Sequence, residues 1–196
     1  MKIGICGGTF DPFHRGHLEP LLAAREAMQW DRILYFVAYR QPFKEQGSNA
    51  SGYHRFAMAV LATESLDDVW VSSWELEREK VSYTVDTLEH LRSEYPDATL
   101  DWIIGDDNLA RLGEWRNIGR IFELANFVVL TRVAPSSLPA IPTPREGAII
   151  YAHNPTVPIS STEIRQRIRA GESIDALVDP RVSRYIQHNR LYQETS

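Results

Sequence analysis

A doubly wound α/β fold, with a mainly parallel sheet of five to six strands and helices on both faces, is predicted by three observations. Short apolar runs alternate with stretches of helical periodicity along the chain. Some runs are apolar at every position, as Ile33-Leu34-Tyr35-Phe36-Val37-Ala38 is, which suits strands covered on both faces. The first run ends on a glycine pair and a helix follows, the arrangement by which such folds aim backbone N–H groups at phosphate.

Taken in order, Lys2–Cys6 is the first strand, and it halts at Gly7-Gly8. Glycine there lets the chain turn sharply and lets another group approach the main chain closely. Pro12 ends extended pairing, and a helix is expected from His17 to Met28 with Leu18, Leu21, Leu22, Ala24 and Ala27 on its apolar side. Strand two, Ile33–Ala38, is followed by a polar loop through Gly52, long enough to be a functional segment. Tyr53, Phe56, Ala57, Val60 and Leu61 recur at helical spacing, and Val69–Trp74 reads as the third strand.

Glu75–Lys80 is charged and is expected to face solvent. Ser82-Tyr83-Thr84 opens a helix carrying Val85, Leu88 and Leu91, with Pro96 beyond its end. Asp101–Ile104 is a fourth strand that stops at Gly105-Asp106-Asp107; a short helix holds Leu109 and Leu112, and Trp115 introduces a second piece to Leu124. Phe127–Thr131 and Ala148–Tyr151 are strands five and six, separated by a proline-rich loop over 133–147. Ser160-Ser161-Thr162-Glu163 has the spacing of a capping box, Gly171 caps the basic helix that follows, and Pro180–Asn189 is the last helix. With no repeat or linker to divide it, the chain is expected to be a single domain over 1–196, with a helical C-terminal portion at about 160–192 packed on the rest.

Composition narrows the function classes. A length of 196 residues with 43% hydrophobic and 24% charged content is ordinary for a globular protein with a well-buried core. The formal charge of -5 argues against non-specific nucleic-acid binding, yet leaves room for a local basic pocket. One cysteine, Cys6, cannot form an internal disulfide, so a reducing compartment is expected. The absence of an N-terminal signal pattern and of a long apolar run makes a cytoplasmic location, with no membrane partner, the expectation.

Three of the informative loops, Gly7–His17, Tyr39–Lys44 and Gly105–Asp107, follow strands directly, and the helix start at Ser160 is expected to join them. Gly8, Thr9 and Phe10 offer N–H groups to a phosphoryl oxygen; the bland alternative is a turn that needs glycine for geometry alone. His14 and His17 are three apart and can face one point near a helix start. They suit a phosphate, a zinc ion or plain solvation, although zinc needs further ligands and the chain has no obvious Cys/His cluster. His54, His90, His153 and His188 have no comparable context. At the far end of the chain, a capped helix start presents N–H groups to an anion, and Arg165 one turn on adds a fork of donors.

The block Gly7-Gly8-Thr9-Phe10-Asp11-Pro12-Phe13-His14-Arg15-Gly16-His17 resembles, position by position, the GGTFDPxHxGH motif of bacterial nicotinate-nucleotide adenylyltransferases, members of the HxGH nucleotidyltransferase superfamily. Ile159-Ser160-Ser161-Thr162-Glu163-Ile164-Arg165 is similar to that family's ISSTxIR motif, and the resemblance spans roughly residues 1–192. It implies a Rossmann-like fold and adenylyl transfer from ATP to nicotinate mononucleotide, giving nicotinate adenine dinucleotide and pyrophosphate in NAD synthesis.

Carried over residue by residue, it implies His14, His17, Lys44 and Arg165 as catalytic, and Gly8, Thr9, Phe10, Gly105, Asp107, Ile159, Ser160, Ser161 and Thr162 as ATP-binding. It further implies Ser82, Tyr83, Thr84, Trp115 and Arg132 as mononucleotide-binding, with the indole of Trp115 packing on the pyridine ring. Mg2+ arrives with ATP, with no protein-held metal site, and Asp11 is a candidate only for its hydration shell. The implied partners are ATP and the mononucleotide, and a homo-oligomer is open. Two positions depart from the family pattern: Phe43 stands where a histidine usually precedes Lys44, and Val133 where a proline usually follows Arg132. The amide substrate, nicotinamide mononucleotide, is the nearest rival, other HxGH nucleotidyltransferases come next, and a non-catalytic nucleotide sensor is the rival of a different class.

Overall fold

Strand β1 (Lys2–Gly8) is central to the sheet because both faces of its apolar residues can be covered: Ile3 and Ile5 are fully buried on one side, and Gly4 on the other admits the indole of Trp30. The computed structural model describes residues 1–43, 47–131, 143–152, 154–155 and 157–193. Around β1 stand α1 (Arg15–Met28), β2 (Arg32–Val37), α2 (Gly52–Thr63) and β3 (Val69–Ser72). A short α3 (Trp74–Glu77) and α4 (Thr84–Glu94) lead back to β4 (Thr99–Gly105), then a 3-10 helix (Asp106–Glu114), α5 (Ile118–Leu124) and β5 (Asn126–Leu130). The chain closes with β6 (Ile149–Ala152), α6 (Ser161–Arg169) and α7 (Pro180–His188).

All six strands pair in parallel, in the order β3-β2-β1-β4-β5-β6. This is the doubly wound, Rossmann-like arrangement. Alternate residues of β2 divide between two cores, Ile33, Tyr35 and Val37 on the α1–α2 side and Leu34 and Phe36 on the α4–α5 side. Residues of α6 and α7, Ile164, Val182 and Ile186, enter the first core beside Phe13 and Leu21. The sheet order reverses between β1 and β4, and ligands of such sheets gather beyond the strand ends at that reversal.

Several expectations shift. The first strand runs through the glycine pair to Gly8, and the sharp backbone turn, φ 51°, falls on Phe10. The glycines serve close approach instead: a Cβ on Gly7 would lie 2.8 Å from the Trp102 ring, and one on Gly8 would lie 2.6 Å from the Phe10 ring. The first helix starts at Arg15, two residues before the expected His17, because His14 acts as its N-cap. Strand three ends at Ser72, and the segment expected to face solvent begins instead with α3, which buries Glu75 and Leu76. The capping box at α6 is half formed: Ser160 Oγ accepts from Glu163 N–H at 3.1 Å, while the Glu163 carboxylate pairs with Arg167. Gly171, at φ 72°, terminates α6 as expected. The proline-rich segment lies largely outside the described residues, as do Lys44, Arg132 and His153.

Candidate active site

The chain leaves β1 and folds back on itself so that Phe10 and Phe13 bury their rings against Tyr35 of β2. That packing delivers His14 to the N-cap of α1 and His17 to its third position. The two rings stack with centroids 3.6 Å apart. The His14 backbone N–H donates to His17 Nδ1 at 3.2 Å, so a neutral His17 ring carries its proton on Nε2. Tyr35 Oη donates to the His17 carbonyl at 2.8 Å and ties the helix start to the sheet. Gly16 leaves room for this stack, since a Cβ there would lie 3.0 Å from His14 Nδ1 and 3.3 Å from the Ile159 carbonyl. His14 is 5% exposed, and burial pushes its pKa down to about 4, so it is neutral at physiological pH. Its Nδ1 is a buried polar atom with no hydrogen-bond partner among the described residues.

The distant capped helix meets this loop directly. Ser161 Oγ donates to the Pro12 carbonyl at 3.0 Å, and Arg165 Nη1 donates to the Asp11 carbonyl at 2.6 Å. Residues 149 and 154 positions apart in sequence are therefore joined by hydrogen bonds at the motif's own backbone. Arg165 also donates to Thr162 Oγ1 at 3.2 Å, which holds the guanidinium over the first turn of α6. Arg167 and Arg169 point elsewhere, to Glu163 and Asn49.

A cleft of about 1180 Å³ opens over the ends of β1 and β4. It is lined by Gly8, Thr9, Phe10, His14, His17 and the α6 start from Ile159 to Thr162 with Arg165. Ser82, Tyr83, Thr84, Gly105, Asp107 and Trp115 line the same cleft. Among described residues, every position the sequence singled out thus borders one space; Lys44 and Arg132 lie outside them. The volume exceeds that of an ordinary single-ligand pocket of roughly 300–1,000 Å³ and suits two nucleotides held together. Trp115 packs edge-on to Phe127, 5.7 Å between centroids, and is half-buried, so part of the indole remains for a ligand. Among the described residues no three His, Cys, Asp or Glu side chains cluster to cage a metal.

Four residues have roles that the sequence did not indicate, among them Asp11, expected only near a metal's hydration shell. Asp11 is 5% exposed and its carboxylate accepts from Asn49 N–H at 2.7 Å, Ala50 N–H at 3.1 Å, Asn49 Nδ2 at 3.2 Å and Tyr192 Oη at 2.8 Å, a structural tie with both oxygens engaged. Arg55, 1% exposed, donates to the carbonyls of Thr9 and Ala50. Its place on the buried face with Met58, Ala59 and Ala62 was the available signal, because an arginine in an apolar stripe must satisfy its donors internally. Glu75 borders the cleft and accepts from Thr87 Oγ1 at 2.6 Å; burial pushes its pKa up. Arg116 sets its guanidinium 4.6 Å from the Tyr83 ring centroid. No local pattern marks the last two.

The family profile described as cytidylyltransferase-like matches residues 5–167. The chain belongs to that family. Among its curated relatives, a probable nicotinate-nucleotide adenylyltransferase of Gemmatimonas aurantiaca is 37% identical over 99% of this chain and 93% of its own length. One of Chlorobium phaeovibrioides carrying the same name is 38% identical over 99% of this chain and 100% of its own. In three dimensions the Plasmodium falciparum nicotinic acid mononucleotide adenylyltransferase complexed with NaAD superposes with a TM-score of 0.73 at 18% identity, covering 97% of each chain. At that identity the superposition speaks for the fold, and the sequence relatives speak for the family. This member therefore shares nearly its whole length with relatives named probable nicotinate-nucleotide adenylyltransferase.

Proposed function

We propose that the protein transfers the adenylyl group of ATP to nicotinate mononucleotide, releasing pyrophosphate and forming nicotinate adenine dinucleotide. The observation that supports this reading is the shared cleft, lined by His14, His17, Ser161 and Arg165, which suit an anion, and by Tyr83 and Trp115, which suit a flat ring.

The attacking group is an oxygen of the mononucleotide's 5′-phosphate. With a second pKa of about 6 it is largely ionised at neutral pH, so the chain need not supply a base. A bond forms from that oxygen to the α-phosphorus as the bond to the bridging oxygen of pyrophosphate breaks. The protein's part is alignment and charge stabilisation. Neutral His14 and the Nε2 proton of His17 supply donors for the α-phosphoryl oxygens, at no reorganisation cost during the step. Arg165 and the N–H groups at the start of α6 face the β and γ groups, with Lys44 as a further pyrophosphate contact, and Gly105 and Asp107 receive the adenosine ribose. The residues present fit a magnesium ion carried in by ATP better than one caged by the protein, since the Asp11 carboxylate is committed to four hydrogen bonds. Such an ion neutralises charge on the triphosphate.

Mixing the protein with ATP, magnesium and either mononucleotide and following pyrophosphate tests the proposal. Steady release with nicotinate mononucleotide, at higher kcat/KM than with the amide, is expected. No release with either, from folded protein, overturns it.

A further inference from the structure

The cleft is lined by three arginines among the described residues, and two are already engaged. Arg165 is held by the Asp11 carbonyl. Arg111 forks onto the Glu114 carboxylate at 3.0 and 2.9 Å, with its guanidinium 4.1 Å from the Phe43 ring. Arg116 differs. It lines the cleft beside Tyr83, next in sequence to Trp115, and no described carboxylate pairs with it. What holds it is the face of Tyr83, a contact that leaves the guanidinium's edge and its donors unspent.

A nicotinate mononucleotide carries two anionic groups at opposite ends. On the proposed function its phosphate lies at the α-phosphorus beside His14 and His17, and its pyridine ring packs at Tyr83 and Trp115. Arg116, seated on the Tyr83 ring, is then the neighbouring cation for the ring's carboxylate. A carboxamide presents no charge there. We infer that Arg116 is a specificity-determining residue that reads the pyridine carboxylate, so that the acid is preferred over the amide by a charge-assisted contact at this position. The guanidinium suits the task because its planar fork matches a carboxylate, and because Tyr83 fixes its direction before the substrate arrives. Glu75, also at the cleft wall, accepts from Thr87 Oγ1, and burial pushes its pKa up.

The inference rests on the adenylyl-transfer reading above, and the two fail differently. Pyrophosphate release is measured for the unmodified protein, Arg116→Gln and Arg116→Lys with each mononucleotide; where the amide turns over too slowly, its inhibition constant against the acid replaces KM. Arg116→Gln is expected to lower kcat/KM for the acid about tenfold, the range for one exposed charge-assisted contact, and to change the amide value by less than about twofold. Arg116→Lys, keeping the charge without the fork, falls between. In the unmodified protein, added potassium chloride raises KM for the acid more than for the amide, a comparison that requires no variant because both substrates share the phosphate. Equal losses on both substrates, or equal salt responses, overturn the role of Arg116 while adenylyl transfer stands. Inactivity of the unmodified protein with both mononucleotides removes the proposed function itself, and this inference with it.

Discussion

Removing the Asp11 carboxylate separates a structural from a metal-binding role for the acidic residue of the first motif. In Asp11→Ala, four hydrogen bonds disappear. Asn49 is exposed, so water can replace its two. The Ala50 N–H and Tyr192 Oη belong to residues only 5% and 8% exposed, and they are left without an acceptor. Each such orphan costs about 1–3 kcal/mol, which sets the loss at roughly 4 kcal/mol. For a domain of this size that lowers Tm by about 8–16 °C. Asp11→Asn keeps one acceptor but turns an N–H toward other donors, and a loss of about 2 kcal/mol is expected. Thermal and urea denaturation give the stabilities; kcat and KM for magnesium-ATP, measured well below the variants' melting, give the function. The folded variants should retain kcat within about tenfold, the scale of a slight misplacement. A variant that melts like the parent yet loses about 10³-fold in rate, with partial rescue by excess metal, would make the carboxylate a metal ligand and refute the structural assignment.

His17→Ala is expected to lower kcat by about 10²–10³, the range for one preorganised transition-state donor, with near-normal turnover at saturating substrate as the contrary result. Gly16→Ala pushes the His14 ring and the Ile159 carbonyl apart by a few tenths of an ångström; it should reduce kcat by about tenfold while Tm stays near the parent's, because alanine favours the helix. Trp115→Ala should raise KM for the mononucleotide about tenfold and leave KM for ATP within about twofold, as initial-rate kinetics will report. His14 introduces a pH dependence of stability. Its folded pKa is about 4, below the unfolded 6.5, so the unfolded chain binds the proton first; its contribution is complete above pH 6.5 and is lost as pH falls toward 4. The loss amounts to at most about 3 kcal/mol, and urea midpoints of His14→Gln should fall less steeply than the parent's across that window.

Local chemistry written into the chain accounts for much of the molecule. The continuous apolar runs forced strands covered on both faces, because such a run can be buried only between two layers of helices. Their alternation with helical stretches required crossovers, and right-handed crossovers leave few topologies, of which the observed sheet is one. The two motifs were equally readable, since glycine, histidine and cap residues act through spacing along a few turns of chain. What only the tertiary structure decided are matters of distance between segments remote in sequence. That Asp11 ties down Ala50 and Tyr192, that Gly7 yields to the Trp102 ring rather than to a turn, and that Glu75 is buried all depend on which side chain arrives from elsewhere. The union of Arg165 with the Asp11 carbonyl, and the seat of Arg116 on Tyr83, belong to the same class. A residue's type limits what it can do; the folding of distant chain onto it selects among those possibilities, because burial and hydrogen bonding act between neighbours in space.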